Sequence, residues 1–354
     1  MSRPLAIPAG ALRYRAMIGV GGIGAGSFFA LNGNRTLGRE ESREGRFLDQ
    51  RDYCKLHIIA HYVQTLLGPA FTTLPLGRVG EDETGQRLCA EMAAAGMEMR
   101  YVGTVPGGQT LFSFCFVYPD GSGGNLTTGD SACAHVSPAV VAEAEPEFRR
   151  YGHGAIALAV PEVPPAARAA LLELGTAHGC LRAASFTAGE MAPAMEAGLL
   201  RQVDWLAINR SEAGVAAGLA PGAAIEEIVA AAVERLRREN PALRVAVTAG
   251  AEGSWVANGA DVYRQPAWPA KVRNTAGAGD AHFAGLLAGL AAGLETVEAH
   301  ELAALVAAVS VESPHTIHPG LDRETLREFA ARQGALLNPR VVALVAGGVS
   351  PSAP

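Results

Sequence analysis

An α/β fold, with a central, mainly parallel sheet flanked by helices, is what this sequence predicts. Three observations carry the prediction. From about residue 150 onward, short apolar runs alternate with stretches of helical spacing. Those runs are continuous rather than alternating, which suits strands buried on both faces of a parallel sheet. A turn of small residues, Asn274-Thr275-Ala276-Gly277-Ala278-Gly279-Asp280, then opens the apolar helical run 281–287. In open α/β sheets ligands gather at the carboxyl ends of the strands, and this turn stands where that rule puts a site.

The elements follow in order. Ala16–Val20 is a short apolar run that ends in Gly19-Val20-Gly21-Gly22-Ile23-Gly24, a G-x-G-x-x-G pattern. That pattern raises the alternative of a dinucleotide-dependent oxidoreductase using Gly19–Gly24, which would need a longer strand before it and an uninterrupted helix after it. Asn32-Gly33-Asn34 breaks any such helix early. The polar stretch 32–52 reads either as a solvated loop or as part of a mobile cover. Leu111–Tyr118 alternates like a strand with one wet face, and 120–124 is turn material. Together these imply a small β lid formed by segments 28–52 and 100–130, closing over the site to exclude water. Ala155–Val160, Leu181–Phe186, Trp205–Ile208 and Val245–Thr248 read as buried strands, and Pro165–Leu174 as a helix. Between the last two strands, Ile225, Ile228, Val229, Ala232 and Leu236 share one face of an amphipathic helix. The expected organisation is a single domain over 1–340, with 341–354 as a C-terminal tail.

Composition bounds the function. The 354 residues are 49% hydrophobic and 18% charged with a net charge of −6, a soluble globular balance without the basic excess that holds nucleic acid. No apolar run is long enough to span a bilayer. The N-terminus lacks the pattern of a signal peptide, so a cytoplasmic address is expected. The five cysteines are widely spaced with no C-x-x-C pair, arguing against a disulfide framework or zinc site.

The turn at 274–280 carries the chemistry. Backbone N–H groups at a helix start converge on one spot, where the helix dipole adds about half a positive charge. Such a spot suits a phosphate. A carboxylate beside it can take a proton from an attacking hydroxyl. Read singly, the same residues could be a tight turn with a helix cap, and Asn209-Arg210-Ser211-Glu212 could be an ordinary capping box.

In sequence order, Leu76–Gly85 (with Gly77, Val79, Gly80, Asp82 and Gly85), Glu162-Val163-Pro164, Asn209–Glu212, Thr248–Gly253 and Asn274–Asp280 are similar to motifs of the ribokinase (PfkB) family of carbohydrate and nucleoside kinases. The last resembles the family signature D-T-x-G-A-G-D-x-F. The resemblance spans roughly residues 74–320. It implies a ribokinase-like fold and an ATP-dependent kinase that phosphorylates a hydroxyl of a sugar or nucleoside.

In that scheme Asp280 is the general base, with Gly277, Ala278 and Gly279 at the transferring phosphoryl group. Thr275 and Ala276 approach the nucleotide phosphates, and the N–H groups from Ala276 to Gly279 stabilise their charge. Asn209 and Glu212 orient Mg2+ through its waters, while Thr248, Gly250 and Gly253 line the nucleotide. The resemblance leaves open a monovalent cation and implies a homodimer paired through the lids.

Departures concentrate where the acceptor binds. Asn274 holds the position of the signature's first Asp, and His282 stands where the family prefers Phe. The G-G-x-x-x-N substrate motif is replaced by Asp52–His61, and the acid usual after the first strand is absent. Asn32, Lys55, His57 and Glu162 are the candidate substrate residues, with Lys55 suited to an anionic group. His57 and His61, four apart, could also pair on a metal. The altered motif leaves a second alternative, a catalytically silent nucleotide-binding protein of the same fold.

Overall fold

The computed structural model describes residues 2–347 apart from Gly121 and Pro221. Among the described residues there are thirteen strands: β1 Ala16–Val20, β2 Gly24–Leu31, β3 Gly45–Tyr53, β4 Thr72–Gly80, β5 Val102–Val105, β6 Leu111–Val117, β7 Gly123–Thr127, β8 Ala155–Ala159, β9 Leu181–Ser185, β10 Trp205–Asn209, β11 Arg244–Thr248, β12 Ser254–Asn258 and β13 Asp261–Gln265. Nine form one sheet in the order β13-β12-β11-β10-β9-β8-β1-β4-β5. It is parallel from β11 to β5, with β12 and β13 added antiparallel at one edge. The strands expected at 155–160, 181–186, 205–208 and 245–248 are all present within a residue or two.

Alternation along the strands feeds two cores. Met17, Ile156, Leu158 and Ala246 point into one, shared with the helices Lys55–Leu67, Ala278–Ala291 and Thr296–Ser310. Ile18, Ala157, Val245 and Val247 point into the other, against the helices Pro165–Ala177 and Ile225–Glu239. With helices on both faces, every central strand must be apolar on both sides, as its sequence is.

Four strands form a separate small sheet, in the order β3-β2-β6-β7. This lid differs from the expectation in extent. It starts at Gly24 rather than 28, and the 102–105 part of the second segment joins β4 at the edge of the large sheet. Asp82 ties lid to core: Oδ1 accepts the Gly85 N–H and Oδ2 the Thr110 N–H, each at 2.7 Å. The Leu76–Gly85 motif is thus a strand, a cap and a helix start that together anchor the beginning of β6.

Two other readings are corrected. Residues 341–346, expected in the tail, belong to the helix Pro339–Ala346, whose Val341, Leu344 and Val345 are buried in the core. Residues 348–354 lie outside the described residues. The Gly19–Gly24 pattern leads from β1 straight into lid strand β2, with no helix N-terminus to receive a pyrophosphate, so the dinucleotide reading fails. Among the described residues no helix is long and apolar enough to cross a membrane.

Candidate active site

Asn209 ends β10 and Thr248 ends β11, so both lie at the carboxyl edge of the large sheet. The Asn274–Asp280 turn faces the same edge. A cavity of about 970 Å³ opens there, lined by Asn209, Glu212, Thr248, Gly250, Gly253 and Asp280 among others. Apolar Trp268, Phe283 and Val311 are also part of its wall. A second cavity, of about 550 Å³, lies between this turn and the lid, lined by Asp52, Ser113, Cys115, Asn125, Glu162 and Asp280 among others. Lys55, Val272, Thr275, Gly277 and Asp280 border both cavities and form the neck between them.

The turn owes its shape to local chemistry. Gly277 has φ +78, a left-handed conformation, and a Cβ there would stand 2.9 Å from the Thr316 carbonyl oxygen. Only glycine satisfies both conditions. Asn274, in place of the signature's aspartate, accepts the Ala276 N–H on Oδ1 and donates from Nδ2 to the Pro314 carbonyl, both at 3.0 Å. The amide side chain therefore clamps the turn with a donor as well as an acceptor, which a carboxylate could not do.

This clamp revises the expected set of phosphate donors. Ala276 N–H is taken by Asn274, and Ala278 N–H bonds to the Thr275 carbonyl at 3.2 Å. The N–H groups of Gly277, Gly279 and Asp280 have no backbone acceptor among the described residues. They point out of the first turn of a helix, where the dipole favours an anion.

At the neck, Lys55 Nζ lies 3.3 Å from Asp280 Oδ1. The Asp280 carboxylate raises the Lys55 pKa against the opposing effect of burial, with Glu212 and Glu162 adding to the rise. Lys55, the candidate for an anionic substrate group, borders the cavity beneath the lid, with its ammonium beside Asp280. Its backbone N–H also reaches Glu162 Oε2 at 3.3 Å. Burial pushes the Glu162 carboxyl up to about 7, although Lys55 opposes the shift. Glu162 also holds φ +75, a left-handed backbone that is costly for a residue with a side chain.

Asn209 and Glu212 do form a capping box: Asn209 Oδ1 accepts the Glu212 N–H at 3.0 Å, and Glu212 Oε2 accepts the Asn209 N–H at 2.7 Å. Burial raises the Glu212 pKa. Its other carboxylate oxygen makes no hydrogen bond among the described residues. Gly250 and Gly253 shape the turn after β11, with φ +55 and +101.

Two candidates lie elsewhere. Asn32 is exposed at the outer end of β2 and borders neither cavity, because β2 carries it away from the core. His57 is 1% exposed and turned into the core against Tyr53. Burial holds it neutral, with its pKa lowered to about 3. No group of three His, Cys, Asp or Glu suited to a metal exists among the described residues, so the His57/His61 pair has no third ligand.

Sequence reasoning missed Asp52 as a site residue, although it noted the stretch beginning there. The available signal was alternation: Leu48, Gln50 and Asp52 fall on one face of β3. His282, which stands where the family prefers Phe, lies in the helix Ala278–Ala291. It is buried, borders the larger cavity, and bonds through Nε2 to Ser254 Oγ at 3.1 Å. Ser254 Oγ in turn lies 2.7 Å from His300 Nε2.

Comparison with known proteins agrees with this geometry. Residues 59–323 match the pfkB family carbohydrate kinase pattern. Ribokinase from Giardia lamblia superposes with a TM-score of 0.74 at 18% identity, covering 89% of this chain and 99% of that one. Ribokinase from Cryptococcus neoformans in complex with ADP gives 0.71 at 18%, covering 90% and 99%. Arabidopsis thaliana ribokinase complexed with ribose and ATP gives 0.70 at 21%, covering 89% and 98%. At such identities the likeness concerns the fold. No curated protein matches the chain significantly.

Proposed function

The chain belongs to the pfkB family of carbohydrate kinases, and from that premise we propose that it transfers the γ-phosphoryl group of ATP to a hydroxyl of a sugar or nucleoside. The observation that carries this reading is the position of Asp280, in the wall of both cavities at the start of a helix. The nucleotide occupies the larger cavity and the acceptor the one beneath the lid. Use of ATP is supported by the nucleotides bound to the similar ribokinases.

In this scheme Asp280 takes the proton of the attacking hydroxyl. The free N–H groups of Gly277, Gly279 and Asp280 stabilise the charge that spreads over the phosphoryl oxygens. Lys55 adds a cation at the same neck. Closure of the lid excludes water, which would otherwise compete as acceptor. Mg2+, when bound, supplies charge neutralisation for the phosphates. The donor set fits a water-mediated ion, since Glu212 keeps one oxygen uncommitted and no three-ligand cage exists among the described residues. Glu212 and Asn209 would hold it.

The silent nucleotide-binding alternative is disfavoured by Asp280, a carboxylate beside phosphates that a mere binder has no need to retain. The test is ADP release from Mg-ATP across a panel of sugars and nucleosides. Wild type is expected to turn over at least one acceptor. Asp280→Asn should lose a hundredfold or more, on the order expected for a general base, while still binding nucleotide. Nucleotide binding without turnover of any acceptor would favour the silent protein.

A second copy of the chain is the partner this reading implies, joined at the lids. The outer lid face supports it, with Phe47 66% and Leu126 64% exposed.

A further inference from the structure

The acceptor cavity contains an acid that the family resemblance did not supply. Asp52 sits on β3 directly opposite Gly26 of β2. A Cβ at Gly26 would stand 2.5 Å from Asp52 Oδ2, so the carboxyl lies against the bare backbone of β2 and only glycine leaves it that space. The Cys115 thiol on β6 donates to the same oxygen at 3.3 Å. A parallel arrangement exists at Gly22, where a Cβ would stand 2.6 Å from Glu162 Oε2. The glycines that follow the first strand thus give their room to carboxyls brought from the lid and from the loop after β8. An acid is missing from the end of β1, but the space beyond it is acidic.

We infer that Asp52 is the specificity-determining residue of the acceptor site, accepting hydrogen bonds from the non-reacting hydroxyls of the acceptor, which is therefore an unphosphorylated sugar or nucleoside. The inference rests on the kinase reading and narrows its substrate class.

Charge in the cavity supports it. Asp52, Glu162 and Asp280 all line the wall. The cations there are Lys55, already paired with Asp280, and Arg273, which is exposed at the rim. Asp52 makes no ion pair among the described residues; its carboxylate accepts from the Cys115 thiol at 3.3 Å. Burial raises its pKa, with the nearness of Asp280 adding to the shift. A sugar hydroxyl donating to this carboxylate relieves part of its desolvation, whereas a phosphate or carboxylate placed against it would meet like charge, with Arg273 only at the rim. Gln50, Ser113 and Asn125 complete a lid face able to bind further hydroxyls.

The test compares wild type and Asp52→Asn, both full-length, on Mg-ATP with pentoses, hexoses, nucleosides and the corresponding monophosphates. Wild type is expected to prefer the unphosphorylated acceptors. In Asp52→Asn the acceptor KM should rise about ten- to a hundredfold, as befits loss of hydrogen bonds to a charged group. Its kcat should change only a few-fold and its affinity for ADP, which reports an intact core, should stay the same. Discrimination against monophosphates should weaken.

An unchanged KM would overturn the inference, as would a fall in kcat alone. Wild-type preference for a sugar monophosphate would overturn it while leaving the kinase reading intact. Wild type that binds ATP but phosphorylates nothing in the panel would remove the kinase reading, and the inference with it.

Discussion

Lys55 and Asp280, 225 residues apart in the chain, meet with 3.3 Å between Nζ and Oδ1 at the neck joining the two cavities. The pair brings together the first residue of the helix that leaves the lid and the first turn of the helix that opens at the glycine turn. Glu162 and Glu212 are close enough to act electrostatically on the same ammonium. One cation therefore balances several carboxylates at the spot where the proposed reaction brings the triphosphate. Replacing it by methionine leaves those acids facing the phosphates without compensation. Lys55→Met is expected to weaken nucleotide binding at least tenfold and to lower kcat about a hundredfold or more, measured by titration calorimetry and ADP release. Full activity in the variant would exclude Lys55 from the chemistry.

Glu162 gives a pH signature of stability. Burial raises its folded pKa to about 7, above the ordinary 4.5 that holds in the unfolded chain. The folded state therefore binds this proton more tightly. The stabilisation is fully present below pH 4.5 and is lost as pH climbs through 7, a loss of about 3 kcal/mol at most. Glu162→Gln keeps the shape and cannot ionise. Its melting temperature relative to wild type should increase by several degrees between pH 5 and pH 8 in scanning calorimetry of the unliganded proteins. A gap that stays constant across that range would show that Glu162 is not a buried, proton-binding acid.

The outer face of the lid carries an aromatic cluster, with the Phe29 and Phe47 ring centres 5.1 Å apart and those of Phe47 and Phe114 6.2 Å apart. Apolar groups so placed favour burial against a partner. Phe47→Asp is expected to convert a wild-type dimer to monomer in sedimentation equilibrium, with the monomer's melting temperature little changed because Phe47 is exposed in the single chain. A wild-type protein that is monomeric at micromolar concentration would refute pairing through the lid.

Much of the large sheet was legible because its strands are short, apolar and separated by turns and helices. The edge hairpin β12–β13 was missed, since Asp261–Gln265 is largely exposed and has no apolar pattern. The lid was legible through β6, whose alternation reports one buried face; β3 hid within a charged stretch because none of its residues is fully buried. His57 shows the opposite failure. Its spacing with His61 suggested a shared ligand, but helical periodicity does not say whether a face looks into a cavity or into a core.

The sequence by itself determined the α/β class, the glycine turn ending in Asp280 and the capping residues Asn209 and Glu212, because each depends on residues close together in the chain. The tertiary structure alone decided that Lys55 engages Asp280, that Asn274 clamps its turn to Pro314, and that Asp52 and Glu162 fill the space beside Gly26 and Gly22. Those relations join segments far apart in sequence. They arise from how the lid strands and the sheet's carboxyl edge are brought face to face, and no local spacing encodes that approach.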